Sequence, residues 1–275
     1  MRIMLEHSTP TAAPFDAIAE AYDEVFSKSA IGRAQRRAVW SEMDREFHAG
    51  QSILEINCGT GIDAFHLARR GVIVDACDSA PGMILRARQR ANTSEPMAVR
   101  FRCLPIEKLD TLPLQKPYDG VLSNFSGMNC IADLAPVVRN LARIVRPGGR
   151  TVVCVFGTFC LWEVLWYLRA GHFRKAFRRL RRRGVDAVLA PGASVRVHYR
   201  SARYLSRAFA PCFRLKRWRG VGVALPPSYA ASISVNFPRL FRLAVAIDPL
   251  LGRCPGLRSL ADHMVLTFER MGESS

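Results

Sequence analysis

Apolar positions along this chain fall into two rhythms. One repeats every three to four residues and the other runs unbroken for four to six. Residues 15–26 place Phe15, Ile18, Ala19, Tyr22 and Phe26 on one side of a predicted helix. Residues 32–47 repeat the pattern with Val39, Trp40, Met43 and Phe47, and Gly50 offers a stop. Short apolar runs follow at 53–56, 72–77, 99–103, 118–123 and 150–156. Helical stretches at 63–70, 79–91 and 134–145 lie among them, with Ser79 and Asp133 as candidate caps. Strands buried on both faces read as continuous apolar runs, so this alternation predicts a parallel sheet covered by helices on both sides. Beyond residue 156 the rhythm changes. Helical patterns occupy 161–168, 171–183 and 201–209, while 213–218 and 264–270 alternate like an antiparallel edge hairpin. The intervening segment 221–262 opens on Pro226-Pro227 and carries an apolar helix at 238–251.

With 275 residues, 49% of them hydrophobic, the chain can bury a core without metal or disulfide support. The eight cysteines form no CxxC pair and several sit in apolar runs, so they read as reduced packing residues of a reducing cytosol. The six histidines show no ligand spacing with them, and no metal site is expected. Residues 1–14 lack the apolar core of a signal peptide and are expected to be a disordered tail. The longest apolar stretch, 151–168, is interrupted by Gly157 and Glu163, so a cytoplasmic protein is expected.

The net charge of +17 favours an anionic partner or reflects arginine-rich solvated faces. Its densest part is Arg174, Lys175, Arg178, Arg179, Arg181, Arg182 and Arg183. A solvated face comes first among its readings. Peripheral contact with the inner face of an anionic membrane comes second and RNA third.

The sharpest chemical signal is the turn Glu55-Ile56-Asn57-Cys58-Gly59-Thr60-Gly61, where an apolar strand hands over to a helix. Bare glycines let a ligand approach backbone amides and the helix N-terminus. Asp78 ends the next apolar run, where a carboxylate can accept both hydroxyls of a ribose. An adenosine-bearing cofactor follows from this pairing. Gly59-x-Gly61-x-x-Ala64 also satisfies the dinucleotide fingerprint, which keeps a nicotinamide-dependent oxidoreductase as an alternative.

Four landmarks together resemble the class I S-adenosylmethionine-dependent methyltransferases. They are the glycine turn, Asp78-Ser79-Ala80-Pro81-Gly82-Met83, Tyr118-Asp119-Gly120-Val121-Leu122-Ser123-Asn124, and Arg146-Pro147-Gly148-Gly149. The opening segment 15–23 is similar to the lead-in helix of ubiquinone- and menaquinone-type methyltransferases. The resemblance implies a Rossmann-like α/β fold: a seven-stranded, mostly parallel sheet with an antiparallel C-terminal hairpin and helical lid insertions. It implies a single domain over 15–275, with a helical cap at 15–50, a cofactor-binding core at 51–156, and a lid and sheet edge at 157–275. The implied cofactor is S-adenosyl-L-methionine. Glu55, Asn57, Gly59 and Gly61 would surround its methionine end. Asp78 would take the ribose, Ser79, Met83, Ile106 and Glu107 the adenine, and Asn124 and Phe125 the sulfonium, with Tyr22 closing over them. Two departures stand out: the family's first glycine is Asn57 here, and its acidic residue after the third strand is Pro105.

A general base is needed only where the nucleophile carries a proton of high pKa. His198 and Tyr199, beyond the fifth strand, are the leading candidates, with His172 and His263 as rivals. The expected activity is methyl transfer to oxygen or carbon of a small lipophilic acceptor. An RNA methyltransferase is the runner-up among enzymes, and a non-catalytic S-adenosylmethionine-binding protein is the runner-up outside them. Nothing in the composition sets an oligomeric state.

Overall fold

Seven strands form one sheet, and they fall where β-branched and other apolar residues are packed between turn residues. The computed structural model describes residues 13–92, 97–181 and 183–272. In chain order the strands are β1 (Ser52–Ile56), β2 (Ile73–Asp78), β3 (Val99–Cys103), β4 (Tyr118–Ser123), β5 (Val145–Phe156), β6 (Val185–Ala190), β7 (Ala193–Val197), β8 (Phe213–Val221) and β9 (His263–Arg270). The main sheet has the order β3-β2-β1-β4-β5-β9-β8, and β9 runs against both of its neighbours. Strands β6 and β7 pair separately as a hairpin. The helices are α1 (Ala30–Glu46), α2 (Ile62–Arg69), α3 (Pro81–Asn92), α4 (Ala135–Ile144), α5 (Leu161–Arg169), α6 (Phe173–Ala176), α7 (Ala202–Phe209), α8 (Ser232–Asn236) and α9 (Pro238–Leu251).

Successive residues of a strand point to opposite faces, and β1 shows what that does here. Ile53 packs with Val39 and Met43 of α1, Phe65 of α2 and Ile84 of α3. Its neighbour Leu54 packs on the other side with Val137 and Leu141 of α4 and Leu205 and Phe209 of α7. Each such fully buried side chain contributes about 1.5–3 kcal/mol. These two cores clamp the sheet and fix the carboxyl ends of β1, β2 and β4 as a rigid rim.

Four expectations are corrected. Residues 15–26 are not one helix: they form a 3-10 turn, Pro14–Ile18, and a π-helical turn, Asp23–Ser27. Asp16 is the reason. Its carboxylate accepts from the Gly82 amide at 2.7 Å and the Ala13 amide at 3.1 Å, pinning the segment across the start of α3. Residues 1–12 of the expected tail lie outside the described residues, while Ala13 and Pro14 belong to this docked turn. Residues 171–183 are not one helix either, but α6 followed by a 3-10 turn, Arg178–Leu180. Arg178 and Arg179 turn inward to Glu163 at 2.8 and 2.9 Å, so the basic run is not one solvated face. Arg182 lies outside the described residues. The lid is also not purely helical, because the β6–β7 hairpin folds over the Pro14–Ile18 turn. The alternating apolar positions Val185, Ala187 and Leu189, then Val195 and Val197, around Gly192 were its signal in the sequence.

No helix among the described residues is long and apolar enough to cross a membrane.

Candidate functional site

The glycine turn works by tying β1 to β2. The Gly59 amide donates to Asp78 Oδ2 at 2.8 Å, and the Ala80 amide donates to Asp78 Oδ1 at 2.9 Å. It is therefore Asp78, at the end of β2, that meets the amide at the entry to α3. Burial pushes the Asp78 carboxyl up, and these amides pull it back only in part. A carboxylate offers about four lone-pair positions, so two amides leave room for a ligand's hydroxyls. Asn57 stands at φ 57°, the left-handed conformation that its short polar side chain tolerates.

Around this turn opens a cleft of about 230 Å³. Ten of the residues expected at a cofactor line it: Tyr22, Asn57, Gly59, Asp78, Ser79, Met83, Ile106, Glu107, Asn124 and Phe125. Two expected residues do not. Gly61 faces inward, where a Cβ would stand 2.8 Å from the Phe101 ring, so its missing side chain serves packing. Glu55 is 1% exposed behind the turn. Burial first, and then the neighbouring Asp63, hold its carboxyl well above the usual range.

The sequence reading missed the charged centre beneath the cleft. Asp63 Oδ2 accepts from Arg36 at 2.6 Å and from Asn124 Nδ2 at 2.8 Å, and its Oδ1 accepts from Trp40 Nε1 at 2.6 Å. The Arg36 guanidinium lies 4.6 Å over the Phe125 ring, and its Nε has no hydrogen-bond partner. Both Arg36 and Asp63 line the cleft. Arg36 falls on the apolar stripe of α1 with Val39 and Met43, and a charge on that stripe was the available signal. Phe125 and Ser126 follow at φ 44° and 72°, two successive left-handed residues at the end of β4. Asn124 Oδ1 holds this bend by accepting from the Phe125 amide at 2.8 Å. Such strain gathers at ligand sites.

A second cavity of about 580 Å³ adjoins the cleft. Phe15, Tyr22, Phe125, Cys130 and Val195 line both. Its walls are largely apolar, including Phe26, Phe156, Leu189 and Val197, while Gln35, Asp262 and His263 bring polar groups to it. Burial, outweighing the effect of Arg36, pushes the Tyr22 hydroxyl up to about 12, so it stays protonated at neutral pH.

His198 and Tyr199, the leading candidates for catalysis, line neither space. They follow the last residue of β7, where the His198 backbone is fastened to Asn129: the His198 amide donates to its carbonyl at 2.7 Å, and Asn129 Nδ2 donates back to the His198 carbonyl at 2.7 Å. Tyr199 instead faces Phe156 and Arg179, with 6.1 Å between the two rings and 5.3 Å from the guanidinium to its own. His172 is exposed beside α6. Of the four candidates, His263 is the one in the cavity wall. Among the described residues no group of three or more potential ligands could hold a metal ion.

The family described as "Methyltransferase domain" matches residues 53–149. Demethylmenaquinone methyltransferase of Corynebacterium kroppenstedtii is 30% identical over 152 residues, 54% of this chain and 60% of that protein. The match thus spans less than two thirds of that relative's length. The enzyme of the same name from Mycobacterium sp. (strain JLS) is 28% identical over 225 residues, 80% of this chain and 92% of its own. Among solved structures, the CcbJ methyltransferase from Streptomyces caelestis superposes with a TM-score of 0.61 at 17% identity, covering 95% of this chain and 99% of its own. A sheet with β9 set antiparallel between β5 and β8 also departs from the strand order of the dinucleotide-binding fold. Fold, glycine turn and matched segment agree: residues 53–149 match a methyltransferase domain, and the sheet that carries them has the fold of that solved methyltransferase structure.

Proposed function

We propose that the protein moves a methyl group from S-adenosylmethionine to oxygen or carbon of a small lipophilic acceptor. The observation that carries this reading is the shared wall of the two spaces. A cleft with a ribose-suited carboxylate adjoins a larger apolar cavity through Phe125, Tyr22 and Cys130. A methyl donor in one and an acceptor in the other would meet at that wall.

The residues present suit the cofactor. Asp78 keeps lone pairs for the ribose hydroxyls. Arg36 Nε, buried and without a partner, is a donor suited to the methionine carboxylate. Ile106 and Met83 offer apolar surface to the adenine, and Glu107 stands beside them. The bound cofactor supplies an electrophilic methyl on a sulfonium. The protein's share is to align the acceptor with it and exclude water. Alignment of this kind is worth about 7–11 kcal/mol of a barrier. The demethylmenaquinone enzymes act on a quinone-type acceptor, which fits a cavity walled by Phe15, Phe26, Phe125 and Phe156.

An acceptor this apolar resides in lipid, and the lid exposes groups that suit a bilayer. Trp166, Phe173, Phe177 and Leu180 are exposed along 166–181 with Arg174, Lys175 and Arg181, and Phe237, Leu240 and Leu243 are exposed at the start of α9 with Arg239 and Arg242. Trp166 and Tyr167 approach Tyr229 at 6.1 and 5.9 Å, joining α5 to the turn before α8. Apolar side chains ringed by cations favour the surface of an anionic membrane, reached without a spanning helix.

A thermal-shift comparison tests the cofactor. S-adenosylmethionine and S-adenosylhomocysteine at ~100 times their dissociation constants should each add about 2.7 kcal/mol of stability. NAD and NADP should add nothing. Stabilisation by a nicotinamide nucleotide alone would sink the reading. Cofactor binding without S-adenosylhomocysteine release on any lipophilic acceptor would leave a binding protein.

A further inference from the structure

A buried chain of charges that the cofactor site does not use reaches the apolar cavity through Asp262 and His263. His263 is 3% exposed, and its Nδ1 lies 3.3 Å from Asp262 Oδ2. Asp262 accepts on Oδ1 from Arg179 at 2.6 Å, and Arg179 also donates to Glu163 Oε2 at 2.9 Å. Gln35 Nε2 donates to Asp262 Oδ2 at 3.3 Å. Burial works against ionisation of Asp262, but His263 and Arg179 outweigh it and hold the carboxyl well below the usual range. The fold brings these groups to the reaction wall by strand register. Phe156 at the end of β5 pairs with His263 at the start of β9, and Val221 at the end of β8 pairs with it from the other side. The imidazole stacks on Phe156 at 4.5 Å and meets the edge of Phe125 at 5.5 Å, so it shares the aromatic wall that divides acceptor from cofactor.

We propose that His263 is the general base of the transfer and that the acceptor is a hydroxyl-bearing aromatic, of the phenol or naphthol kind. The proposal rests on the methyltransferase reading above. An ionised carboxylate beside Nδ1 favours the tautomer with its proton there, which leaves the Nε2 lone pair to accept. Nδ1 is not aligned on Oδ2 as a hydrogen bond, and such contacts often tighten only when substrate is present. In balance, the acceptor's O–H proton passes to Nε2. The freed electron pair forms the new bond to the methyl carbon, and the old carbon–sulfur pair stays on sulfur. Asp262, Arg179 and Glu163 are positioning residues. The charged and titratable groups around the imidazole include these three, Tyr199 over Arg179, Tyr22 and Cys130 in the cavity wall, Arg36 over the Phe125 ring, and Cys154, Cys160 and Tyr229 toward Asp262. A phenol-type hydroxyl is a weak acid, and positioned base catalysis on such a group contributes about 10²–10⁴-fold. The aromatic walls suit a ring, and about 580 Å³ accommodates two fused rings with a substituent.

The test uses the full chain and its H263Q variant with two probes, 1-naphthol and its more acidic 4-nitro derivative. In the presence of S-adenosylhomocysteine, absorbance reports ionisation of the bound nitronaphthol. The wild type should ionise it at a lower pH than H263Q does, by at least about one unit, a tenfold change in equilibrium. With S-adenosylmethionine, H263Q should lose turnover of 1-naphthol by about 10²-fold or more. Its loss on the nitronaphthol, ionised without help, should be much smaller. The D262N variant should show the same split in weaker form. Unaltered cofactor-induced thermal stabilisation in H263Q would show that the fold and cleft are intact. Equal losses on both probes, with no change in the bound titration, would overturn the base role and leave His263 a packing residue. If wild-type protein binds the cofactor but methylates neither probe, the acceptor class is overturned while the cofactor reading stands. If the cofactor does not bind, the methyltransferase reading falls first and this proposal with it.

Discussion

Arg36 and Asp63 form a buried ion pair at 2.6 Å beneath the cleft, with side chains 8% and 5% exposed. The pair joins α1 to the first turn of α2, and through Asn124 it reaches the end of β4. Removing one partner of such a pair strands the other charge in a poorly solvated place. Asp63→Ala should therefore destabilise the protein by about 3–5 kcal/mol. It should also loosen the Trp40 and Asn124 hydrogen bonds. Chemical denaturation of the two proteins measures this, and a loss below about 1 kcal/mol would contradict it.

Asp78 carries the second prediction. Hydrogen bonds to a charged group contribute about 1.5–3 kcal/mol each. Asp78→Ala should weaken S-adenosylhomocysteine by at least about tenfold for each ribose hydroxyl it no longer holds. The Gly59 amide would lose its partner as well. Titration calorimetry reads the affinity directly. Equal affinities would place the ribose elsewhere.

Asn57, held in the left-handed region, explains a glycine elsewhere. A Cβ on Gly127 would lie 2.4 Å from the Asn57 Cβ, and Ser123 Oγ donates to Asn57 Oδ1 at 3.3 Å. Gly127→Ala should cost about 1–3 kcal/mol through overpacking. Asn57→Gly made with it should recover much of that loss, since glycine accepts the left-handed angle. A double-mutant cycle on melting temperature gives the coupling, and strict additivity would refute it.

Glu55 supplies a pH dependence. Its folded carboxyl is raised by burial and by Asp63, whereas in the unfolded chain it titrates near ~4.3. Below that value both states hold the proton. Above it the unfolded chain releases the proton while the folded one keeps it, so stability falls as pH rises toward the folded value. Glu55→Gln should lack this decline. Urea midpoints for both proteins between about pH 5 and 8 would show it, and parallel slopes would rule it out.

The lid surface predicts vesicle binding that depends on both charge and apolar area. Phe173 and Phe237 are 67% and 59% exposed. The double variant F173S/F237S should co-sediment less with phosphatidylserine vesicles while its cofactor affinity stays unchanged. Equal sedimentation of variant and wild type, or none by wild type, would remove this surface from consideration.

The glycine turn was legible in the sequence because its chemistry is local. Residues 57–61 need unusual backbone angles, and Asp78 ends the neighbouring strand. A parallel pair brings such positions side by side, with Ile56 beside Cys77. The seven strands of the main sheet and α9 were legible for the same reason, since each declares its buried face within a few residues, whereas the β6–β7 hairpin was not read. The Phe15–Phe26 spacing misled because Asp16 bonds to Gly82, a partner far along the chain. The basic run misled because Glu163 and Asp262 draw Arg179 inward. In the sequence His198 led and His263 was a rival. Strand register sets His263 beside the end of β5, in the cavity wall, and leaves His198 fastened to Asn129 outside it. Local backbone demands and hydrophobic period were written in the chain. Which charges share one buried space depends on long-range pairing, and only the folded sheet determines that.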